Sequence, residues 1–165
     1  MSHEFSFTHT VQGVSADAFT RMLATEGFHL GLARQLNGEA LEVLALEVSK
    51  TRAAFKRRHP LNAKLPGPLQ KVVKDSLTLT RTDTWDIERL VCNCNFELNA
   101  PIRMSLKLTV EPGFQEFRMR HDWVVSVNIP LVGKVLAGVL EQDIRGQAQG
   151  ELAAFDQHCR AQLGQ

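Results

Sequence analysis

Hydrophobic and polar residues alternate with period two through most of the first 127 positions, then switch to a helical period for the rest of the chain. Phe5, Phe7, His9 and Val11 share one parity and Glu4, Ser6, Thr8 and Thr10 the other, which predicts a strand over 4–12. Gly13-Val14-Ser15 breaks it. Ser15 suits a helix N-cap, with Asp17 in the first turn and Phe19, Met22 and Leu23 at helical spacing. Gly27 is expected to close that helix in the left-handed conformation, and a second short helix over 28–36 to end at Asn37-Gly38. Strands are predicted over 41–50 and 51–58, the latter with Ala53, Phe55 and Arg57 alternating against Ala54, Lys56 and Arg58.

Residues 59–73 interrupt the pattern. Pro60, Pro66 and Pro68 around Gly67 exclude a central strand, because proline gives no ladder donor. Leu65, Leu69, Val72 and Val73 give the segment apolar contacts, so a flap or short helix over something is expected. Strands resume over 76–85, over 90–98 with Leu90, Cys92, Cys94, Phe96 and Leu98 on one face, and over 102–110. The last is the cleanest, with Ile102, Met104, Leu106, Leu108 and Val110 inward and Arg103, Ser105, Lys107 and Thr109 outward. Pro112-Gly113 signals a hairpin, and 114–127 places Phe117, Met119, His121, Trp123, Val125 and Val127 on one face. From Pro130-Gly133 a helix of about 30 residues follows. Its stripe comprises Val132, Val135, Leu136, Val139, Leu140, Ile144, Ala148, Leu152, Phe155 and Cys159.

A run of strands joined by short turns implies an antiparallel sheet, and the helical stripe is its natural cover. The expected class is α+β: a curved sheet of about seven strands around a long C-terminal helix, one domain over 1–165. The sheet offers more inward apolar positions than one helix covers, so a cavity between them is expected. Its candidate lining is Trp85, Phe96, Met104, Leu106, Phe117, Met119, His121, Trp123, Leu136 and Leu140. Arg81, Asp83 and Asp122 are candidate polar anchors.

This order of elements resembles the helix-grip fold of the START-like superfamily, which includes polyketide cyclases, lipid-transfer domains and pollen-allergen-type proteins. Three stretches resemble one bacterial branch of it, domain of unknown function 2505. They are 7–19 with Val14-Ser-Ala-Asp-Ala18, Thr82-Asp-Thr-Trp85, and Asn128-Ile-Pro-Leu-Val-Gly-Lys134. The resemblance implies a ligand-binding fold and brings no catalytic residues with it.

Composition narrows the function. At 44% hydrophobic and 22% charged, the chain reads as globular. No apolar run reaches the ~18 residues of a membrane span, and Met1-Ser-His-Glu-Phe5 lacks a secretory pattern, so a cytoplasmic location is expected. The odd number of cysteines, Cys92, Cys94 and Cys159, fits buried thiols rather than a disulfide framework, and their spacing supports no metal site. Net charge is +1, yet Lys50, Arg52, Lys56, Arg57, Arg58, Lys64, Lys71 and Lys74 form a stretch without Asp or Glu. Lys56, Arg57 and Arg58 are its candidate anion binders, toward a transient anionic membrane surface or, less favoured because only Phe55 interleaves, nucleic acid. Nucleophile-elbow, zinc-helix and phosphate-loop motifs are missing, and no cofactor is expected. The leading reading is a carrier or sensor of a lipid-like or other apolar small molecule. The competing readings are a cyclase- or hydrolase-like enzyme using a cavity group such as His121, and a binder of anionic surfaces through 50–74.

Overall fold

The computed structural model describes residues 2–61, 67–71, 73 and 76–164. The strands are β1 (His3–Gln12), β2 (Glu42–Val48), β3 (Arg52–Pro60), β4 (Thr78–Asp86), β5 (Val91–Leu98), β6 (Ile102–Gly113) and β7 (Glu116–Val127). They form one antiparallel sheet in the order β1-β7-β6-β5-β4-β3-β2. Helices α1 (Ala16–Leu23) and α2 (Glu26–Asn37) follow β1, α3 (Gly67–Gln70) lies between β3 and β4, and α4 (Gly133–Leu163) ends the fold. This is the helix-grip arrangement of the START-like fold. Among the described residues, no helix is long and apolar enough to cross a membrane.

Hairpins dominate because each strand's turn lies next to it in sequence, which also explains why β1 alone must cross to pair with β7. Ser15 caps α1, its hydroxyl accepting from the Ala18 N–H at 3.0 Å. Gly13 (φ 79°) gives the chain its turn out of β1. Gly38 (φ 65°) closes α2 after Asn37.

Three local expectations are corrected. Gly27 does not end α1; that helix stops at Leu23, and Gly27 lies in the first turn of α2, which starts at Glu26. The β6–β7 reversal falls at Phe114-Gln115, where Gln115 takes the left-handed conformation (φ 54°), and Gly113 remains paired with Glu116. Val135 leaves the apolar stripe and is 69% exposed. Of the 59–73 segment, residues 60 and earlier extend β3, Gly67–Gln70 form a helical turn and Leu69 is fully buried; 62–66 and 72 lie outside the described residues, as does Lys74 of the basic stretch.

The core has two parts. The larger joins α1 and α2 to the inner faces of β3–β7 around Phe19, Leu23, Phe28, Cys92 and Phe117. The smaller joins the start of α4, at Leu136 and Ala137, to Phe5, Ile102, Val125 and Val127. Within α4 only Leu136, Ala137 and Cys159 are buried. Leu140, Ile144, Leu152 and Phe155 in between are half-buried. The helix is thus clamped near both ends and stands off the sheet in the middle.

Candidate functional site: a cavity under the C-terminal helix

Beneath the middle of α4 lies a cavity of about 430 Å³. That is within the roughly 300–1,000 Å³ common for small-molecule sites. Its walls come from the sheet, α2 and α4. Strands β6 and β7 contribute Ile102, Met104, Leu106, Leu108, Met119 and Trp123, all apolar or aromatic. The opposite wall is different: β3 and β4 contribute Arg57, His59, Arg81 and Asp83. Leu36 and Asn37 of α2, His59 near the end of β3 with Leu61 just beyond it, and Asp143, Gln147 and Glu151 of α4 are among the more exposed lining residues, so the mouth opens between those three elements.

The polar wall follows from strand parity. Ala53, Phe55 and Arg57 all point inward on β3, as do Leu79, Arg81, Asp83 and Trp85 on β4, and Arg57 faces Arg81 across the ladder. The Asp83 carboxylate accepts from Arg81 Nε at 2.8 Å and from Arg57 Nη1 at 2.9 Å. Arg57 lies over the Phe55 ring at 4.7 Å and Arg81 over the Phe96 ring at 5.0 Å. Burial works against all three charges. Arg81 and Arg57 overcome it at Asp83 and hold its carboxyl well below the usual range. Burial pulls Arg57 down, partly offset by Asp83. A buried cation, Arg57, and a half-buried one, Arg81, thus share one carboxylate. Arg57 Nε and Trp123 Nε1 are buried without a hydrogen-bond partner among the described residues. His29 also lines the cavity; its Nε2 donates to the Leu23 carbonyl at 2.8 Å, and burial lowers its pKa.

Of the sequence-derived lining candidates, Trp85, Phe96, Met104, Leu106, Met119, Trp123 and Leu140 border the cavity, while Phe117, His121 and Leu136 do not. Phe117 is sealed off by a stacked Phe19 at 4.5 Å. Leu136 packs in the smaller core, where α4 touches the sheet directly. His121 shares the inner face with Trp123, yet it lies under Phe7, whose ring stacks on it at 4.6 Å. The placement of His121 in the cavity is therefore corrected. Phe19, Leu23, Phe28, His29, Leu32 and Phe155 were not foreseen as lining. Their helical spacing along α1, α2 and α4 was visible, but not which void they would face.

Lys56, Arg57 and Arg58 do not form one anion-binding surface. Alternation turns Lys56 and Arg58 outward and Arg57 into the cavity. Arg58 is also engaged by Glu42, with contacts of 3.1–3.2 Å. Asp122 points outward too, bound by Ser6 and Arg120. A wider and more open concavity, about 740 Å³, lies on that outer face, with Thr82, Asn93, Asn95 and Lys107 on its floor. It is more open and offers less apolar area to bury, so the inner cavity is the stronger site.

Cys92 and Cys94 place their sulfurs 3.7 Å apart, near Asp83. Both Asp83 oxygens are already taken by guanidiniums, and Arg81 Nη2 lies 3.7 Å from Cys94 Sγ. A cation there would meet two positive neighbours, and burial pushes the Cys92 thiol well up, away from the thiolate a metal needs.

His121 gives a pH dependence. It is 7% exposed, and its Nε2 has no partner among the described residues. Burial, then the neighbouring His9 and Arg81, push its pKa down to about 4, with Asp122 opposing weakly. Above pH ~6.5 the ring is neutral folded or unfolded, and the group carries no penalty. As pH falls from 6.5 toward 4 the unfolded chain takes the proton first, so stability falls, by about 3 kcal/mol in total. His29 acts in the same direction. Urea midpoints measured between pH 7 and 4 are expected to drop, and the His121→Phe variant is expected to drop distinctly less. An identical slope in that variant would exclude His121 as the source.

Three comparisons bear on the class of protein. The solved structures that match include a Streptomyces aromatase/cyclase, Zhui, at 16% identity and TM-score 0.60, over 99% of this chain and 96% of that one. Norcoclaurine synthase from Thalictrum flavum matches at 14% and 0.62, over 99% and 87%. A START superfamily protein from Mycobacterium smegmatis matches at 14% and 0.54, over 96% and 98%. At such identities they establish a START-like fold. No curated protein matches the chain by sequence. The family model "Protein of unknown function (DUF2505)" matches residues 6–158. The chain therefore belongs to the DUF2505 family.

Proposed function

We propose that this protein binds an apolar small molecule in the cavity under α4, as a carrier or sensor. The observation that carries this reading is the stand-off of α4: its clamped ends and half-buried middle hold open about 430 Å³ against an apolar β6–β7 wall. Protein interiors are normally close-packed, and a void of this size sacrifices dispersion contacts that an occupant restores. Trp123 supports the reading. It stacks on Phe96 at 5.2 Å and carries an unpartnered indole N–H, so it offers both a face and a donor. Thalictrum norcoclaurine synthase, of similar fold, has been solved with dopamine and hydroxybenzaldehyde bound. A fold of this kind is thus compatible with small aromatic occupants.

The test is a fluorescence titration with the neutral apolar probe N-phenyl-1-naphthylamine. Trp123→Ala is expected to weaken probe binding about tenfold or more while the variant stays cooperatively folded. Unchanged affinity, or a loss that merely tracks unfolding, would remove Trp123 from the site.

A further inference from the structure

The cavity is two-sided. One wall, from β6 and β7, is apolar throughout; the other, from β3 and β4, carries two guanidiniums against one carboxylate. Such an imbalance is expensive in a buried place, because a charge away from water needs a partner or it destabilises the fold. Arg57 is 7% exposed, donates one N–H to Asp83 and holds its Nε without a partner among the described residues. The protein's other nearby groups do not balance it. Asp83 is already shared. Burial raises the Cys92 thiol and so keeps it neutral, and burial likewise lowers His29. Glu151 and Asp143 lie at the mouth on α4. Desolvation pushes the Glu151 carboxyl up despite the pull of Arg81, the opposite of what a tight counterion shows. His59, also at the mouth, adds a basic group rather than an acidic one.

Resting on the cavity reading above, we propose that the occupant is a small amphiphilic oxyanion: an apolar body carrying one carboxylate or phosphate. Its head lies against Arg57 and Arg81, and its body between Met104, Met119 and Trp123. Guanidiniums suit this task because their planar fork matches either head group, and they stay charged when buried. The aromatic rings under both guanidiniums fix their planes without consuming their donors. The anionic head then balances the one positive charge that Asp83, shared between Arg57 and Arg81, leaves over.

The test is displacement of N-phenyl-1-naphthylamine by three ligands of equal chain length: dodecanoate, dodecyl phosphate and dodecanol. At least one of the two anions is expected to compete about tenfold or more better than the alcohol. The tighter of the two identifies the head group. Arg57→Met should bring the anions and the alcohol within about threefold of each other, each measured against that variant's own probe affinity, and Arg57→Lys should keep most of the preference. The wild-type comparison stands even if a variant folds poorly. A probe that never binds wild-type protein overturns the cavity reading itself. Binding of the probe with equal competition by alcohol and anions overturns the head-group assignment alone, as does a preference that survives Arg57→Met.

Discussion

Replacing Asp83 by asparagine is expected to cost about 3–5 kcal/mol of stability, more than any other single polar change in the chain. The side chain is 13% exposed, so solvent screens little of the loss. It is the only carboxylate that bonds both Arg57 and Arg81 among the described residues. Asparagine keeps the shape and loses the charge, leaving the buried Arg57 and the half-buried Arg81 guanidiniums facing each other across the β3–β4 ladder. Adding Arg57→Met to Asp83→Asn is expected to recover part of the loss, since it removes one of the stranded cations. That non-additivity separates an electrostatic cause from simple misfit. Denaturant melts of the two single variants and the double variant measure it. Strict additivity would mean that the three groups do not act as one network.

The second large effect is expected at Phe19, where alanine should cost about 3–5 kcal/mol. Phe19 has no exposed surface and joins four rings: Phe117 stacked at 4.5 Å, and Trp85, Phe155 and Phe28 edge-on at 5.7, 5.8 and 6.0 Å. These rings come from the sheet, α2 and α4, so one side chain ties α1 to every other layer. Removing it widens a void that already exists, and neighbours resting on an open cavity have little reason to collapse inward. For a domain of this length, the loss corresponds to roughly 10 °C in Tm. A thermal melt reads it directly, and a fall of only 2–3 °C would mean that the surrounding rings repack.

Much of the fold was legible because strand parity is a strong signal in this chain. The alternation from Ile102 to Val110 names the inward residues of β6 as the structure has them, with Ile102, Leu106, Leu108 and Val110 buried. The Ser15 cap was equally legible, since a single hydroxyl before a helical run has few other uses. What parity cannot give is position along a face. His121 and Trp123 share a face two residues apart, yet only Trp123 borders the cavity, because α4 and Phe7 cover the sheet unevenly. The same limit hid the role of Arg57. Its parity with Ala53 and Phe55 was visible, but the neighbouring Lys56 and Arg58 made the run look like one basic surface. Its partner Asp83 lies 26 residues away, and only the β3–β4 register brings the two together. Gly27 misled for a different reason. Glycine is common where helices end, but nothing around Gly27 requires a positive φ, and the chain simply starts α2 through it.

The central claim is that the void under α4 holds an apolar ligand. The most direct measurement is the location of bound N-phenyl-1-naphthylamine by intermolecular nuclear Overhauser effects, using protein labelled at the methionine methyls. Met104 and Met119 face the cavity from β6 and β7. The account predicts strong contacts from the naphthyl ring to both methyl groups at a stoichiometry of one probe per chain. Saturable binding with contacts instead to residues of the outer face, such as Thr82 or Asn95, or binding with no contact to either methionine, would contradict it.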